Sequence, residues 1–273
     1  MDTKQKGLST SFIKTIALIC MFIDHFAASV MMQLLYHPNH PIMLQIGKWI
    51  QADNIMVTYN FIKNIYEWMR HIGRVSFPIY CFFIVEGFFK TRDRKKYAIR
   101  LGICALLSEL PFDIALYGKI IYLWHQNVFY TLLIGLLAIW VLDKMAAKTD
   151  WSLMKHNVMT LLCTIGFVLV AEVLSTDYSG FGVLTIVLMY YVRRIAETKT
   201  TYWPPIVLGA GTAFLCLFSP GEVWAFIGLP LMFFYHGKKG WNGKWFFYLF
   251  YPVHLIVLAV IVLCLGLLRI GII

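Results

Sequence analysis

Lys14 and His25 lie eleven residues apart in an otherwise apolar run from Phe12 to Leu35. On an α-helix, eleven steps of 100° return to within about 20° of the same face and rise about 16 Å. If that helix crosses a bilayer from the cytoplasm, an ammonium at the inner surface and an imidazole half-way across line one groove. Such a groove suits a ligand with a phosphate head in the cytoplasm and a long arm reaching inward, as coenzyme A has in its pantetheine thioester. An imidazole at the end of the arm has the chemistry of a general base toward an amine or hydroxyl. Taken alone, a lysine at the inner end of a helix is also an ordinary snorkelling anchor.

Asp24, Glu86, Glu109, Asp113, Glu172 and His254 also fall inside apolar stretches, where ionisable groups are costly and point to function or to polar pairing. Asp24 adjoins His25 in sequence, so its side chain points about 100° away, and Glu86 or Glu109 is the better candidate to orient the ring. Glu109 and Asp113 share a helix face, with Pro111 between them as a kink that frees backbone carbonyls. They are candidates to orient His25 or to bind a cationic acceptor group, and Arg74 and His254 join Asp113 as candidates on the acceptor side. Residues 84–100 carry Lys90, Arg92, Arg94, Lys95, Lys96 and Arg100 at a helix junction. Arginine forks and lysine charges suit phosphate oxygens, although such a cluster also sets topology. Lys14, Arg92, Arg94, Lys95 and Arg100 are the candidates for the phosphate end. No serine elbow accompanies these groups, and the six cysteines are scattered singly without the spacing of a metal or redox site. With no covalent nucleophile in view, direct transfer is favoured over an acyl-enzyme.

The elements that must position these residues are membrane helices. Hydrophobic residues make up 60% of the chain and charged residues 14%, with mean hydropathy +0.70, whereas a soluble domain carries roughly 25% charged residues. Lys4 and Lys6 precede the first apolar run, but the run is longer than the apolar core of a signal peptide and carries Asp24 and His25, so it reads as a retained helix. Segments near 12–35, 74–90, 97–117, 126–143, 156–175, 180–192, 203–218, 222–236 and 246–268 are candidate spans. The sixth and eighth are short enough to be tilted or re-entrant. The expected fold is all-α, a polytopic bundle of about nine transmembrane helices forming one domain over residues 1–273. Placing Arg92 to Lys96 in the cytoplasm puts nearly all loop lysines and arginines on that side, so the rule of positive loops inside gives N-in and C-out. The formal net charge of +10 therefore belongs to cytoplasmic loops, and no nucleic-acid-binding motif accompanies it. The first outer loop, 36–73, has apolar residues at helical spacing, which predicts one or two short amphipathic helices on the outer face or capping the bundle. No convincing internal repeat is present.

FIKTIALICMFIDH in the first helix, then GRVSFPIYCFFIVEGFFKTRDRKKYAIR, LLSELPFD, NVFYTLLIGLLAIWVLD and FYLFYPVHL together resemble the TraX family, membrane proteins associated with acetylation of pilin. The resemblance spans nearly the whole chain. A more distant likeness is to the acyltransferase-three membrane family, whose first helix carries a basic residue, ten intervening positions and a catalytic histidine, as Lys14 and His25 do. FFIVEGF has Glu86 where that family has a serine, and YPVHL is similar to its terminal motif. Its Arg-x-x-Arg element is missing, the nearest pairs being Arg92 with Lys95 and Lys96 with Arg100.

What the resemblance implies is a multi-pass enzyme of the plasma or inner membrane. It would transfer an acetyl group from cytoplasmic acetyl-CoA to an amine or hydroxyl of an acceptor in or beyond the bilayer. His25 would be the general base, with Asp24, Glu86 or Glu109 among the catalytic residues. The acceptor is left open among a peptide or pilin N-terminus, a glycan and a lipid, and no metal is expected. Two other classes also fit intramembrane acids and histidines: a proton-coupled secondary transporter, and a non-catalytic assembly subunit of a pilus or secretion system.

Overall fold

The computed structural model describes residues 7–268 and Gly271, so Lys4 and Lys6 lie outside the described residues. The first helix, α1 (Thr10–Phe26), starts where the Ser9 side chain accepts a hydrogen bond from the Phe12 amide. It continues through a π-helical turn, Ala27–Met31, into α2 (Met32–Tyr36). The resulting rod of 27 residues is about 40 Å long at 1.5 Å per residue, longer than the roughly 30 Å hydrocarbon layer. Next come α3 (Pro41–Trp49), with proline in its first turn, and α4 (Ile55–Gly73), capped by Asn54.

The spacing of Ile55, Tyr59, Ile62, Tyr66 and Met69 does make a helix, but not a short one. α4 has 19 residues and runs across Arg74–Val75 into α5 (Ser76–Lys90), so that Ile55–Lys90 forms one apolar helical stretch of 36 residues. This stretch lies antiparallel to the first rod. Ile62 packs in one cluster with Met31 and Leu34, Arg70 pairs with Asp24 at 2.6 Å, and Glu86 shares the hydroxyl of Tyr235 with Thr10. Gly73 makes the middle of this pairing possible, because a Cβ there would collide with Asp24.

The remaining helices are α6 (Arg94–Tyr117), α7 (Val128–Ala146), α8 (Leu153–Val173), α9 (Ser179–Ala196) and α10 (Trp203–Phe218). A 3-10 stretch (Pro220–Gly228) then leads into α11 (Leu229–Phe233), and α12 is Lys244–Cys264. All nine apolar segments are helical, and among the described residues six helical stretches are long and apolar enough by composition to cross a membrane. α6 is 24 residues long but bears six charged side chains, from Arg94 to Asp113. The eighth segment, Pro220–Phe233, covers more length than an α-helix of as many residues, because a 3-10 helix rises about 2.0 Å per residue against 1.5 Å for an α-helix. Small residues let the bundle close: side chains at Gly135 and Gly182 on α7 and α9 would strike Ile186 and Thr131, and one at Gly211 on α10 would strike Met189. α8 is peripheral, with 6% of its apolar window buried against 72% for Ile55–Lys90.

The connections sort into two ends. At one end, the Leu8 amide bonds the Phe234 carbonyl (2.6 Å) and the Thr10 amide that of Lys238 (2.9 Å). Lys90 bonds the Gly237 carbonyl (2.6 Å) and Arg94 pairs with Asp143 (2.8 Å) at the same end. At the other end, Gln126 pairs with Ser175 and Asp177 through the backbone, Ile120 with Gly271, and Arg74 with Glu222 at 3.1 Å. Among the described residues the helical segments run alternately between these two ends, and the lysine-rich loops all fall at the end where α1 begins.

Candidate functional site

His25 is 8% exposed and His254, on α12, is 3% exposed. Their rings stack, with His25 Nδ1 2.8 Å from His254 Nε2, and His254 Nδ1 lies 2.9 Å from the Phe250 carbonyl oxygen. A carbonyl only accepts, so His254 Nδ1 carries a hydrogen and, in the neutral ring, Nε2 carries the lone pair. His25 Nδ1 must then donate to it. The pair thereby leaves the lone pair of His25 on Nε2, the nitrogen with no hydrogen bond in the network. Immediately beyond, the Ser29 hydroxyl donates to the His25 carbonyl (2.6 Å) inside the π turn, an irregularity often found at functional positions in helices.

A cavity of about 370 Å³ opens at the basic face and runs inward along α1, lined by Thr10, Lys14 and Met21. Lys14, Leu18, Met21 and His25 follow the i, i+4, i+7, i+11 stripe of one helix face, so His25 comes one turn beyond the residue at the inner end of the cavity. Tyr251 and Phe129 also line that end, and the Tyr251 ring stands edge-on to His25 at 5.6 Å. The Tyr251 hydroxyl is buried, points toward Val128 at the start of α7, and lacks a hydrogen bond of normal geometry. At the mouth, Lys14, Lys90, Arg100, Lys239 and Lys244 face a single carboxylate, Glu86. Lys14 Nζ sits 5.0 Å from the centre of the Phe83 ring, a cation–π contact that holds the ammonium in an aromatic wall.

A second cavity, of about 470 Å³, opens at the opposite face, lined by Arg74, His125, Glu172, Asp177 and Glu222 among others. Glu222 is 2% exposed and its Oε2 has no hydrogen-bond partner, as is true of Asp24 Oδ1, Glu109 Oε1 and Asp113 Oδ1. His125, in the connection between α6 and α7, lies 3.6 Å from Asp177. That carboxylate holds the His125 pKa above the ordinary histidine value, against the effect of burial.

A family model for the TraX protein matches residues 9–262, almost the entire described chain. The chain belongs to the TraX family. It is 30% identical to a protein of Dichelobacter nodosus described as a probable fimbrial assembly protein FimC of serogroup H1, over 90% of this chain and 93% of that one. No solved structure matches. The region matched by the TraX family contains both histidines, both cavities and the pairing of the first rod with Ile55–Lys90.

Among the residues singled out from sequence, Lys14 and Arg100 line the basic cavity, but Arg92, Arg94 and Lys95 do not. Arg94 is turned to Asp143 and lies over the Phe88 ring, 3.9 Å from its centre. None of the four carboxylates considered beside His25 (Asp24, Glu86, Glu109 and Asp113) is its hydrogen-bond partner, which is His254. Asp24 is held by Arg70. Glu86 pairs with Lys90 at 2.5 Å and with Arg193 at 3.1 Å. Glu109 accepts from the Asn127 side chain. Asp113 accepts from the Tyr122 amide near the face opposite the basic cavity, Arg74 lines the second cavity, and His254 is the partner of His25. Tyr251 and the cavity-lining Lys239, Trp241 and Lys244 were not anticipated. Tyr251 precedes His254 by three residues in the FYLFYPVHL block, so helical spacing alone puts the two on one face.

Proposed function

We propose that this TraX-family protein is an acetyl-CoA-dependent acyltransferase that works across the membrane. The observation that supports this most is the cavity that begins among five cations and ends one helical turn short of a histidine with a fixed tautomer. Phosphates would sit at the basic mouth, and the thioester arm would run along Lys14 and Met21 toward His25. The acceptor would come from the opposite face, where the unpartnered oxygen of Glu222 can accept a hydrogen bond.

In this mechanism His25 Nε2 takes the proton of the acceptor amine or hydroxyl as its lone pair attacks the thioester carbonyl carbon. The new C–N or C–O bond forms, the C–S bond breaks, and the departing thiolate receives the proton from His25. His254 is a positioning residue that fixes the His25 tautomer by accepting from Nδ1 and donating to Phe250. The Tyr251 hydroxyl, buried and without a regular partner, would donate to the carbonyl oxygen as negative charge gathers on it. The D. nodosus relative is described as a probable fimbrial assembly protein, and by analogy a pilus subunit is the acceptor to try first, alongside glycan and lipid acceptors.

The test is acetyl transfer and acetyl-CoA binding by purified protein in liposomes. Positioned proton transfer contributes roughly 10² to 10⁴ in rate, about 3–5 kcal/mol. His25→Ala should therefore lose at least about a hundredfold in turnover and keep donor binding. A His25→Ala protein that folds, binds donor and still acylates its acceptor within a few-fold of wild type overturns the mechanism. Proton-coupled flux without acetyl transfer would favour a transporter, and normal pilus assembly with His25→Ala an assembly subunit.

A further inference from the structure

The turn between α11 and α12 holds a cluster whose aromatic member, Trp241, the mechanism above leaves unused. Lys239, Trp241 and Lys244 all line the basic cavity at its mouth, and the turn is fastened rather than loose. Its carbonyls at Lys238 and Lys239 accept from the Thr10 and Ser11 amides at 2.9 and 3.1 Å, and Gly237 accepts from Lys90. Gly240, with φ of 74°, lies so close to Ser9 and Ser11 that a side chain there would not fit. These bonds use the first-turn amides of α1 at Thr10 and Ser11, so an anion at this mouth must be met by side chains.

Trp241 has a defined place in this turn. A Cβ at Gly243 would collide with the indole, so glycine lets the ring lie against the backbone. Phe247 supports it with ring centres 5.2 Å apart. The indole remains 50% exposed, a supported aromatic surface at a cavity mouth between two lysines. In the same cavity, Arg100 has its Nε buried without a hydrogen-bond partner.

We infer that the turn 237–244 is the nucleotide-binding element for the acyl donor. The purine ring stacks on Trp241, the diphosphate and the ribose phosphate are met by Lys239 and Lys244, and Arg100 and Lys14 take the phosphates nearest the arm. This rests on the acyltransferase reading above and deepens it. The donor class becomes a nucleotide-bearing thioester, as distinct from a pantetheine thioester on a carrier protein or free in solution. Its charge also fits: a diphosphate and a phosphomonoester bring about four negative charges, which the five cations facing one carboxylate can receive. Stacking on an aromatic ring and charge-assisted bonds to phosphate are the interactions that discriminate such a head group.

The experiment compares acetyl-CoA with acetyl-pantetheine as donors for the full-length protein in liposomes, and measures displacement of labelled coenzyme A by adenosine 3′,5′-bisphosphate. For the Lys239→Gln and Lys244→Gln double variant, KM for acetyl-CoA should rise on the order of thirtyfold. For Trp241→Ala it should rise roughly tenfold, with most of the loss restored by Trp241→Phe. Transfer from acetyl-pantetheine should stay within about twofold in all three. An unchanged preference for acetyl-CoA over acetyl-pantetheine in the variants overturns this assignment while leaving the acyltransferase reading in place. A wild-type protein that neither binds coenzyme A nor transfers acetyl from either donor removes both. Equal losses with the two donors would mark the turn as a structural staple and also overturn the assignment.

Discussion

A neutral imidazole offers one donor and one acceptor, so the partner of one nitrogen decides the chemistry of the other. For His25 that partner is His254, which is itself fixed by the Phe250 carbonyl. The relay predicts an asymmetry between substitutions. His254→Leu should lower kcat by roughly 10- to 100-fold with little change in the KM for donor, because it releases the tautomer and orientation without touching the cavity. His254→Gln, which keeps an oxygen able to accept from His25, should recover part of the loss; an equal loss in both variants would count against the relay. Tyr251→Phe should lower kcat by about 10²-fold, the size seen when one donor to a developing oxyanion is removed, and steady-state kinetics at saturating donor would measure it. Lys14 and His25 were legible in the sequence because one helix carries both and its periodicity fixes their face. The His254 partnership was not, because the residues are 229 positions apart and only packing of α12 against α1 brings the rings together.

At the scale of elements, the antiparallel pairing of the first rod with Ile55–Lys90 depends on how closely α4 approaches α1. Asp24 and Arg70 meet at 2.6 Å over Gly73, where no side chain fits. Gly73→Val should separate the helices and destabilise the protein by about 1–3 kcal/mol, the usual cost of overpacking, measured as a lower melting temperature in detergent. Gly166→Ala, on the open side of α8 with nothing near its Cβ position, is the control and should be neutral or slightly stabilising. The sequence revealed α4 through its apolar spacing, but not its continuity with α5, since GRVS at 73–76 has the composition of a loop end and the geometry of a bend. Similarly, Arg94 could be counted among phosphate ligands from its position in a basic run. Its pairing with Asp143 depends on α6 packing against α7, which no local pattern encodes.

For the whole molecule, helices that run between two ends leave two chemically different faces. A cysteine at position 94 should resist an impermeant reagent applied to intact cells, and one at position 123, in the connection between α6 and α7, should react; the reverse pattern would invert the orientation and the donor side with it. The apolar segments were legible from hydropathy because it is a property of composition rather than of contacts, and the lysine and arginine counts give the expectation of which face is cytoplasmic that this labelling checks. The face opposite the basic cavity also carries a pH-dependent tie between connections. The folded-state pKa of His125 is raised by Asp177, so the pair stabilises fully below about pH 6.5, the unfolded value, and loses this contribution as pH rises through the higher folded value. Melting temperature followed from pH 5 to 9 should therefore fall less steeply in His125→Asn than in wild type; equal slopes would show that the pair does not couple folding to protons.

The π turn at Ala27–Met31 has one further consequence, for how this helix tolerates insertion and deletion. A π turn holds an additional residue within an otherwise α-helical rod, so it offsets the angular phase of everything beyond it. The stripe through Lys14, Met21 and His25 and the outer cluster of Val30, Met31 and Leu34 are thereby set in two phases on one continuous backbone. Deleting Ala28 should convert the turn to regular α-helix and keep the helix intact. It should also leave the outer segment in its present phase relative to the inner one, because the residue removed is the one the wider turn absorbs, so α2 stays against α4 and the Lys14 face stays in register with its cavity. Circular dichroism and a melting temperature that both stay near wild type would be the signature of that absorbed residue, whereas deleting Ile19 from the regular part of α1 should turn the two segments about 100° out of phase and lower the melting temperature.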